Sequence, residues 1–368
     1  MDMRVLVISN YNDTFNAVRP EGELFIGLHR AGVTVDVMTD ANAHYAQIFR
    51  AAGMRVIDFH PQSKFESKAV ARIRQELVDG DYDILHLFNN KAIINGIRAA
   101  RGLPVKVLTY RGYTGNIHWW DPSAYLTHLH PRVDAITCVS DAVKEVFDRL
   151  PFFPKGKAIT VSKGHDPAWY HDIPVADRHA FGFEPQHVLV AVVANARRMK
   201  GIPWLLDAIA LLPPHSQARF VLIGRGLDNP TTLRAIQQRN IADRIHFTGF
   251  RKDVLSLLQS CDISLLPSVK GEGLSKVLLE SLFLGVPSIM TDIGGNRGLA
   301  IHNETGIIIP PKDAHAMAKA IEQLATDPTF RQQLGKAGQA YISTHYTVAR
   351  SVQEMKAVYE KVILKLGS

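Results

Sequence analysis

The chain of 368 residues contains only two cysteines, Cys138 and Cys261, and both fall in or beside apolar, strand-like runs. So few thiols exclude a disulfide scaffold and a cysteine metal site, and predict two buried free cysteines in a reducing, cytoplasmic setting. No apolar run approaches the length needed to cross a bilayer, and the strand pattern from Arg4 to Ser9 follows Met1 too closely to leave room for a signal peptide. Long Lys/Arg runs with interleaved aromatics are missing, so nucleic acid is not an expected partner. After the first strand, SNYNDT (residues 9–14) lacks the glycines of a dinucleotide fingerprint, which argues against an oxidoreductase. His128 and His130 share a strand-like spacing, but no acidic or cysteine residue accompanies them as a metal partner. Internal repeats and low-complexity tracts are also absent.

What is present is an ordinary globular composition, 46% hydrophobic, with a net charge of +7. Residues 1–172 contribute +1 of that and the remainder +6, so the basic excess sits where an anionic ligand would be held in the second half. Short apolar runs alternate with helical patterns along the chain. The first half predicts strands at Arg4–Ser9, Val33–Met38, Arg55–Phe59, Asp83–Phe88, Val105–Tyr110, Ala135–Val139 and Ala158–Ser162, with helices including 67–78 and 141–150 between them. After a polar, proline-containing segment, 171–184, the pattern restarts at His187–Ala194, Arg219–Gly224, Arg244–Thr248, Asp262–Leu266, Ser288–Thr291 and Gly306–Ile309. Strands separated by helices build parallel sheets with right-handed crossovers. The expectation is therefore an α/β chain of two Rossmann-like domains facing a cleft. The first domain takes residues 1–172 and the second 173–346. A last helix, with Val348, Val352, Met355, Tyr359 and Val362 on one stripe, returns to the first domain.

The most informative stretch is PSVKGEGLSKVLLESLFLGVP, residues 267–287. It reads as a strand end, a glycine loop, a helix and the start of the next strand, the arrangement in which ligands gather at carboxyl ends of strands. Two carboxylates there, Glu272 and Glu280, repel phosphate and suit hydroxyl groups, whereas backbone N–H groups of Gly273, Leu274 and Ser275 suit a diphosphate. A ligand with both kinds of group is a sugar nucleotide; two glutamates at this spacing also arise on solvated helix faces. ANARRMKG (194–201) follows another strand and would aim Arg197, Arg198 and Lys200 at the same ligand, offsetting charge on a departing diphosphate. Gly224, in GRG, is a further phosphate or sugar contact, or a plain turn.

In the first half, Asn10, Asn12 and Asp13 suit hydrogen bonds to a polyhydroxyl acceptor, although turn formation explains them equally. YRGYTGNIHWWD (110–121) is an aromatic, glycine-containing loop whose rings suit a sugar face and whose His118 suits proton relay; satellite core is the alternative. FDRLPFFPKGK (147–157) mixes aromatic and basic residues in a way that suits a membrane surface.

On these residues the chain resembles glycosyltransferase family 4, retaining enzymes of GT-B fold. EGLSKVLLE is similar to the family's pair of glutamates with seven residues between them, RRMKG to its basic pair, and the GRG, FTGF, LPS, GVPSI, DIGG and VDAITCVSDAV segments follow its order. The resemblance implies donor-sugar contact at Glu272, ribose contact at Glu280, and diphosphate binding by Lys200 with Arg197 or Arg198. Three features depart from it: no glycine pair follows the first strand, Gly298 stands where an acidic residue is usual, and Arg111 replaces a histidine, whose place His118 could take. Arg111 then joins Asn10 and Asn12 on the acceptor side. The resemblance implies a hexosyltransferase that uses a nucleoside-diphosphate sugar, UDP-sugar favoured, with no cofactor or metal. The acceptor would be a sugar, polyol or lipid-linked hydroxyl in cell-surface polysaccharide or glycolipid assembly. The setting would be cytoplasmic, with peripheral contact at the inner membrane face as an option. The alternatives are a small-molecule glycoside synthase, an epimerase using the same donor site, and a non-catalytic sugar-nucleotide-binding subunit.

Overall fold

The computed structural model describes residues 3–12 and 18–364. Asp13 lies outside them. The chain divides into two compact units, one of residues up to His165 and from Tyr346 onward, the other Asp166–His345. The sequence patterning set these divisions at 172 and 346.

All thirteen expected strands form. Unit 1 holds β1 (Arg4–Ile8), β2 (Thr34–Thr39), β3 (Val56–Asp58), β4 (Ile84–Leu87), β5 (Lys106–Arg111), β6 (Ala135–Cys138) and β7 (Ala158–Thr160). They make one seven-stranded parallel sheet of order β3-β2-β1-β4-β5-β6-β7. Unit 2 holds β8 (Val188–Val193), β9 (Ala218–Ile223), β10 (Ile245–Gly249), β11 (Ile263–Leu266), β12 (Ser288–Thr291) and β13 (Ile307–Ile309). These form a six-stranded parallel sheet of order β10-β9-β8-β11-β12-β13. The central strands are buried on both faces: Val5 to Ile8 in β1 and Val190 to Val192 in β8 have no solvent exposure. Helices cover both sides of such a sheet, and that is why these strands read as continuous apolar runs rather than as alternating patterns.

The final helix, Val348–Leu364, belongs to unit 1, and its predicted stripe is the packed one. Val352, Met355, Tyr359 and Val362 are buried in the unit 1 core. Its Tyr359 hydroxyl lies 2.8 Å from Nδ1 of His86 on β4, whose Nε2 lies 3.0 Å from the Thr137 hydroxyl on β6. Buried imidazole thus ties the last helix to the sheet. His128 is likewise buried, with Nδ1 2.9 Å from the Thr109 hydroxyl, so it serves the core.

Burial pushes both imidazoles down to about 3, with the Arg111 charge adding to the effect at His128. Both rings stay neutral in the folded protein, whereas unfolded imidazole titrates near 6.5. Below that value the unfolded chain takes up the extra protons. Stability from these groups is therefore level above about pH 6.5 and falls at lower pH by about 1.4 kcal/mol per pH unit for each histidine. Denaturant unfolding between about pH 7 and pH 5 checks this, and a His86→Gln, His128→Gln double variant should flatten the slope. A wild-type unfolding free energy unchanged across that window would contradict it.

Candidate functional site

In unit 2 the strand order reverses between β8 and β11, and ligands of open parallel sheets bind outside the carboxyl ends of strands at such a reversal. The loop after β8 is residues 194–201, and the loop after β11 is residues 267–275. The sequence pattern aims these two loops at one ligand, and in the structure they are adjacent. Val269 N–H donates to the Met199 carbonyl at 2.8 Å and joins them. Gly201 sits at φ 72°, and a Cβ there would lie 1.9 Å from the Pro267 carbonyl oxygen, so only glycine lets these backbones approach.

The loop contact brings Lys200 Nζ to 2.6 Å from Glu272 Oε1 across 72 residues of sequence. Ser268, which has no solvent exposure, donates its hydroxyl to the same oxygen at 2.8 Å. The sequence reading had assigned the lysine to phosphate and the glutamate to hydroxyls; in the structure the two are one ion pair. Ser268 was missed, although the LPS segment contains it. Thr291 at the end of β12 donates to the Ser268 carbonyl at 2.5 Å and fixes that loop from the other side. Arg197 and Arg198 stand exposed beside Lys200, on the same loop.

Ser275 caps the helix Lys276–Phe283, accepting from Leu278 N–H at 3.4 Å. Gly273 and Leu274 form the turn just before it. Glu280 lies within that helix, 7% exposed; burial raises its carboxyl pKa, and Lys276, with Nζ at 3.3 Å, pulls the other way. Gly224, at the end of β9, packs directly on the Ala194 carbonyl that opens the basic loop.

In unit 1 the order reverses between β1 and β4, and there a cavity of about 370 Å³ opens. Ser9 and Asn10 after β1, Asn89 and Asn90 after β4, and Arg111 ending β5 all line it. Glu21 also faces it. Ser9 donates its hydroxyl to Glu21 Oε1 at 2.8 Å, and Lys163 Nζ lies 3.4 Å from Oε2 and 4.9 Å from the Tyr110 ring centre. Burial alone would discharge Lys163, but Tyr110 and Glu21 outweigh it and hold its pKa above the usual value. Neither Glu21 nor Lys163 was singled out from sequence, because their pairing spans 142 residues. Asn12 is exposed and donates its N–H to Asn10 Oδ1 at 3.1 Å, the turn role rather than a cavity contact.

His118 stands apart. It is exposed, stacked on Trp120 at 4.7 Å, and does not line the cavity. Around it Trp119, Trp120, Tyr125 and Leu126 are each at least 44% exposed, and Phe152 is fully so. Trp119, Tyr125 and Phe152 line a shared hollow with Lys157.

Two parallel-sheet Rossmann-like units, the second with a cation-carboxylate pair at its strand reversal, define a GT-B type glycosyltransferase fold. The comparisons agree. A family model of group 1 glycosyl transferases matches residues 176–341 and one of glycosyltransferase family 4 matches residues 22–169. The chain belongs to this family. An N-acetyl-alpha-D-glucosaminyl L-malate synthase of Bacillus anthracis is 27% identical over 50% of the chain and 48% of its own length. A phosphatidyl-myo-inositol mannosyltransferase of Mycobacterium leprae is 25% identical over 81% of the chain and 79% of its own. Against the first group of curated relatives, the chain spans about half of their length. An Anabaena protein, Alr3699/HepE, whose crystal structure contains UDP and glucose, superposes with a TM-score of 0.76 at 19% identity, covering 98% of this chain and 100% of that one.

Proposed function

We propose that this protein is a retaining glycosyltransferase that moves a hexose from a nucleoside-diphosphate donor to an acceptor hydroxyl in cell-surface polysaccharide or glycolipid assembly. The observation that carries this reading is the Lys200–Glu272 pair at the strand reversal of unit 2, with Arg197 and Arg198 beside it. A carboxylate accepts hydrogen bonds only, so Glu272 suits the donor sugar's hydroxyls, and the nearby cations suit the diphosphate. The bond from the sugar's anomeric carbon to the diphosphate oxygen breaks as the acceptor oxygen bonds to that carbon on the same face. The acceptor proton passes to the departing phosphate oxygen, and the growing charge is met by Lys200 and Arg197. UDP and glucose in the Anabaena protein favour a UDP-sugar here. The mannosyl transfer named for the Mycobacterium leprae relative acts on phosphatidyl-myo-inositol, which favours a lipid-linked acceptor.

The test is incubation with UDP-hexoses and a panel of acceptors, reading released UDP and the anomeric configuration of the product. Retention supports the reading; an inverted product, or nucleotide binding without any transfer, sinks it in favour of another chemistry or a non-catalytic subunit.

For a lipid-borne acceptor, the exposed aromatic cluster is the natural membrane-facing surface, since Trp and Tyr rings settle at the bilayer interface and Phe152 is fully exposed. Flotation with anionic vesicles should recover the wild type and lose most of a Trp120→Ser, Phe152→Ser variant. Equal recovery of both would remove this surface from the account.

A further inference from the structure

Five ionic side chains, histidine aside, are buried among the described residues: Glu21, Asp36, Glu76, Arg111 and Glu280. Each of the four carboxylates has its cation. Lys163 pairs with Glu21, Arg55 with Asp36 and Glu76, and Lys276 with Glu280. Arg111, 5% exposed, has no ion pair among the described residues. Its Nε donates to the Tyr113 carbonyl at 3.1 Å, its Nη2 donates to the Gly115 carbonyl, and its guanidinium lies 3.6 Å from the Tyr113 ring centre. These contacts hold the fork in place without neutralising it. A buried charge with no counter-charge is costly and is not kept without a compensating partner.

The missing counter-charge has a place to sit. Arg111 lines the 370 Å³ cavity at the strand reversal of unit 1. The Glu21 carboxylate in the same wall is already matched by Lys163, so among the described residues the lining retains one positive charge without an ion pair. The helix Asn90–Ala99 starts at the cavity with no acidic residue in its first turn, and its N-terminal end adds partial positive charge. Asn89, the capping residue, spends Oδ1 on Ala92 N–H. We propose that this cavity binds an anionic group, a phosphate or carboxylate carried by the acceptor, with Arg111 as its counter-charge. This rests on the transfer reading for the word acceptor, but the anion site itself does not.

Calorimetry with glycerol 3-phosphate and with glycerol tests it, using wild type, Arg111→Gln, Arg111→Lys and Lys200→Ala, with UDP titrated in parallel. The wild type should bind glycerol 3-phosphate and not glycerol. Arg111→Gln should lose roughly tenfold to a hundredfold in affinity, the value of one charge-assisted contact, and Arg111→Lys should lose less because the charge remains. UDP binding should be indifferent to both. Thermal melts accompany each variant, since a purely structural arginine that braces the Tyr113–Gly115 turn would lower the melting temperature equally in both and leave affinity per folded molecule unchanged. That result overturns the proposal. So does an absence of binding by the wild type, or binding lost only in Lys200→Ala, which would place the phosphate in unit 2. Loss in Arg111→Gln with no UDP bound by any form would keep the anion site and sink the donor reading. Phosphatidylcholine vesicles with and without phosphatidic acid separate the sources: Arg111-dependent binding to the acidic vesicles indicates a lipid-borne phosphate, and response to glycerol 3-phosphate alone a soluble one.

Discussion

Lys200→Ala is expected to lower the rate of sugar transfer by about a hundredfold to a thousandfold, the usual consequence of removing one preorganised charge from a developing anion. Two effects act together. On the proposed reading the substitution removes the cation that meets the departing diphosphate, and among the described residues it leaves the Glu272 carboxylate, only 12% exposed, with the Ser268 hydroxyl alone. An orphaned carboxylate in that setting turns away from the sugar and ceases to order the donor. Lys200→Arg separates the two, because it restores charge while its planar fork does not reproduce the single 2.6 Å contact of the ammonium with Glu272. Its rate should fall between wild type and alanine. Steady-state kinetics with melting curves for each variant would check this, and a Lys200→Ala enzyme within about threefold of wild type would contradict the assigned role.

Gly224→Ala is expected to cost unit 2 roughly 4 kcal/mol or more, placing it among the severe single substitutions. The φ of 144° is one that side chains rarely adopt, and a Cβ would fall 1.7 Å from the Ala194 carbonyl oxygen. Neither side is free to yield. Gly224 N–H donates to the Gly249 carbonyl at 2.9 Å, and Ala194 N–H donates to the Ile223 carbonyl at 3.0 Å, so relief of the clash breaks the pairing at the carboxyl ends of β8, β9 and β10. Because Ala194 opens the loop carrying Lys200, whatever folds should also bind nucleotide poorly. Denaturant unfolding reads the first effect, and a loss below about 1 kcal/mol would show that the loop relaxes more easily than its hydrogen bonds imply.

The strands were legible because they are short apolar runs bounded by turn residues, and burial on both faces kept those runs continuous. The last helix was legible for a related reason, its stripe from Val352 to Val362 being the face it packs. Sheet order was not, since nothing local in β1 or β8 says that β4 and β11 lie beside them. The same limit governs the sites. Glu272 and Lys200 stood out by residue type and loop position and Glu280 by its spacing from Glu272, but the ion pair between Lys200 and Glu272 depends on two loops meeting across 72 residues. Glu21 and Lys163 were invisible for that reason, and so was the hydrogen bond from Ser268 to Glu272. Arg111 stood out only as a departure from the family resemblance; its burial without an ion pair among the described residues is a property of the fold.

The central claim is that the strand reversal of unit 2 binds a nucleoside diphosphate through Lys200 and Glu280. Calorimetric titration of UDP, GDP, ADP and NAD into wild type, Lys200→Ala and Glu280→Ala tests it most directly. The account predicts that one nucleoside diphosphate, UDP first, binds the wild type tightly, that NAD does not, and that both substitutions weaken the binding. Binding of none of the four, or binding untouched by either substitution, would contradict the donor site and leave a non-catalytic protein of this fold as the better description.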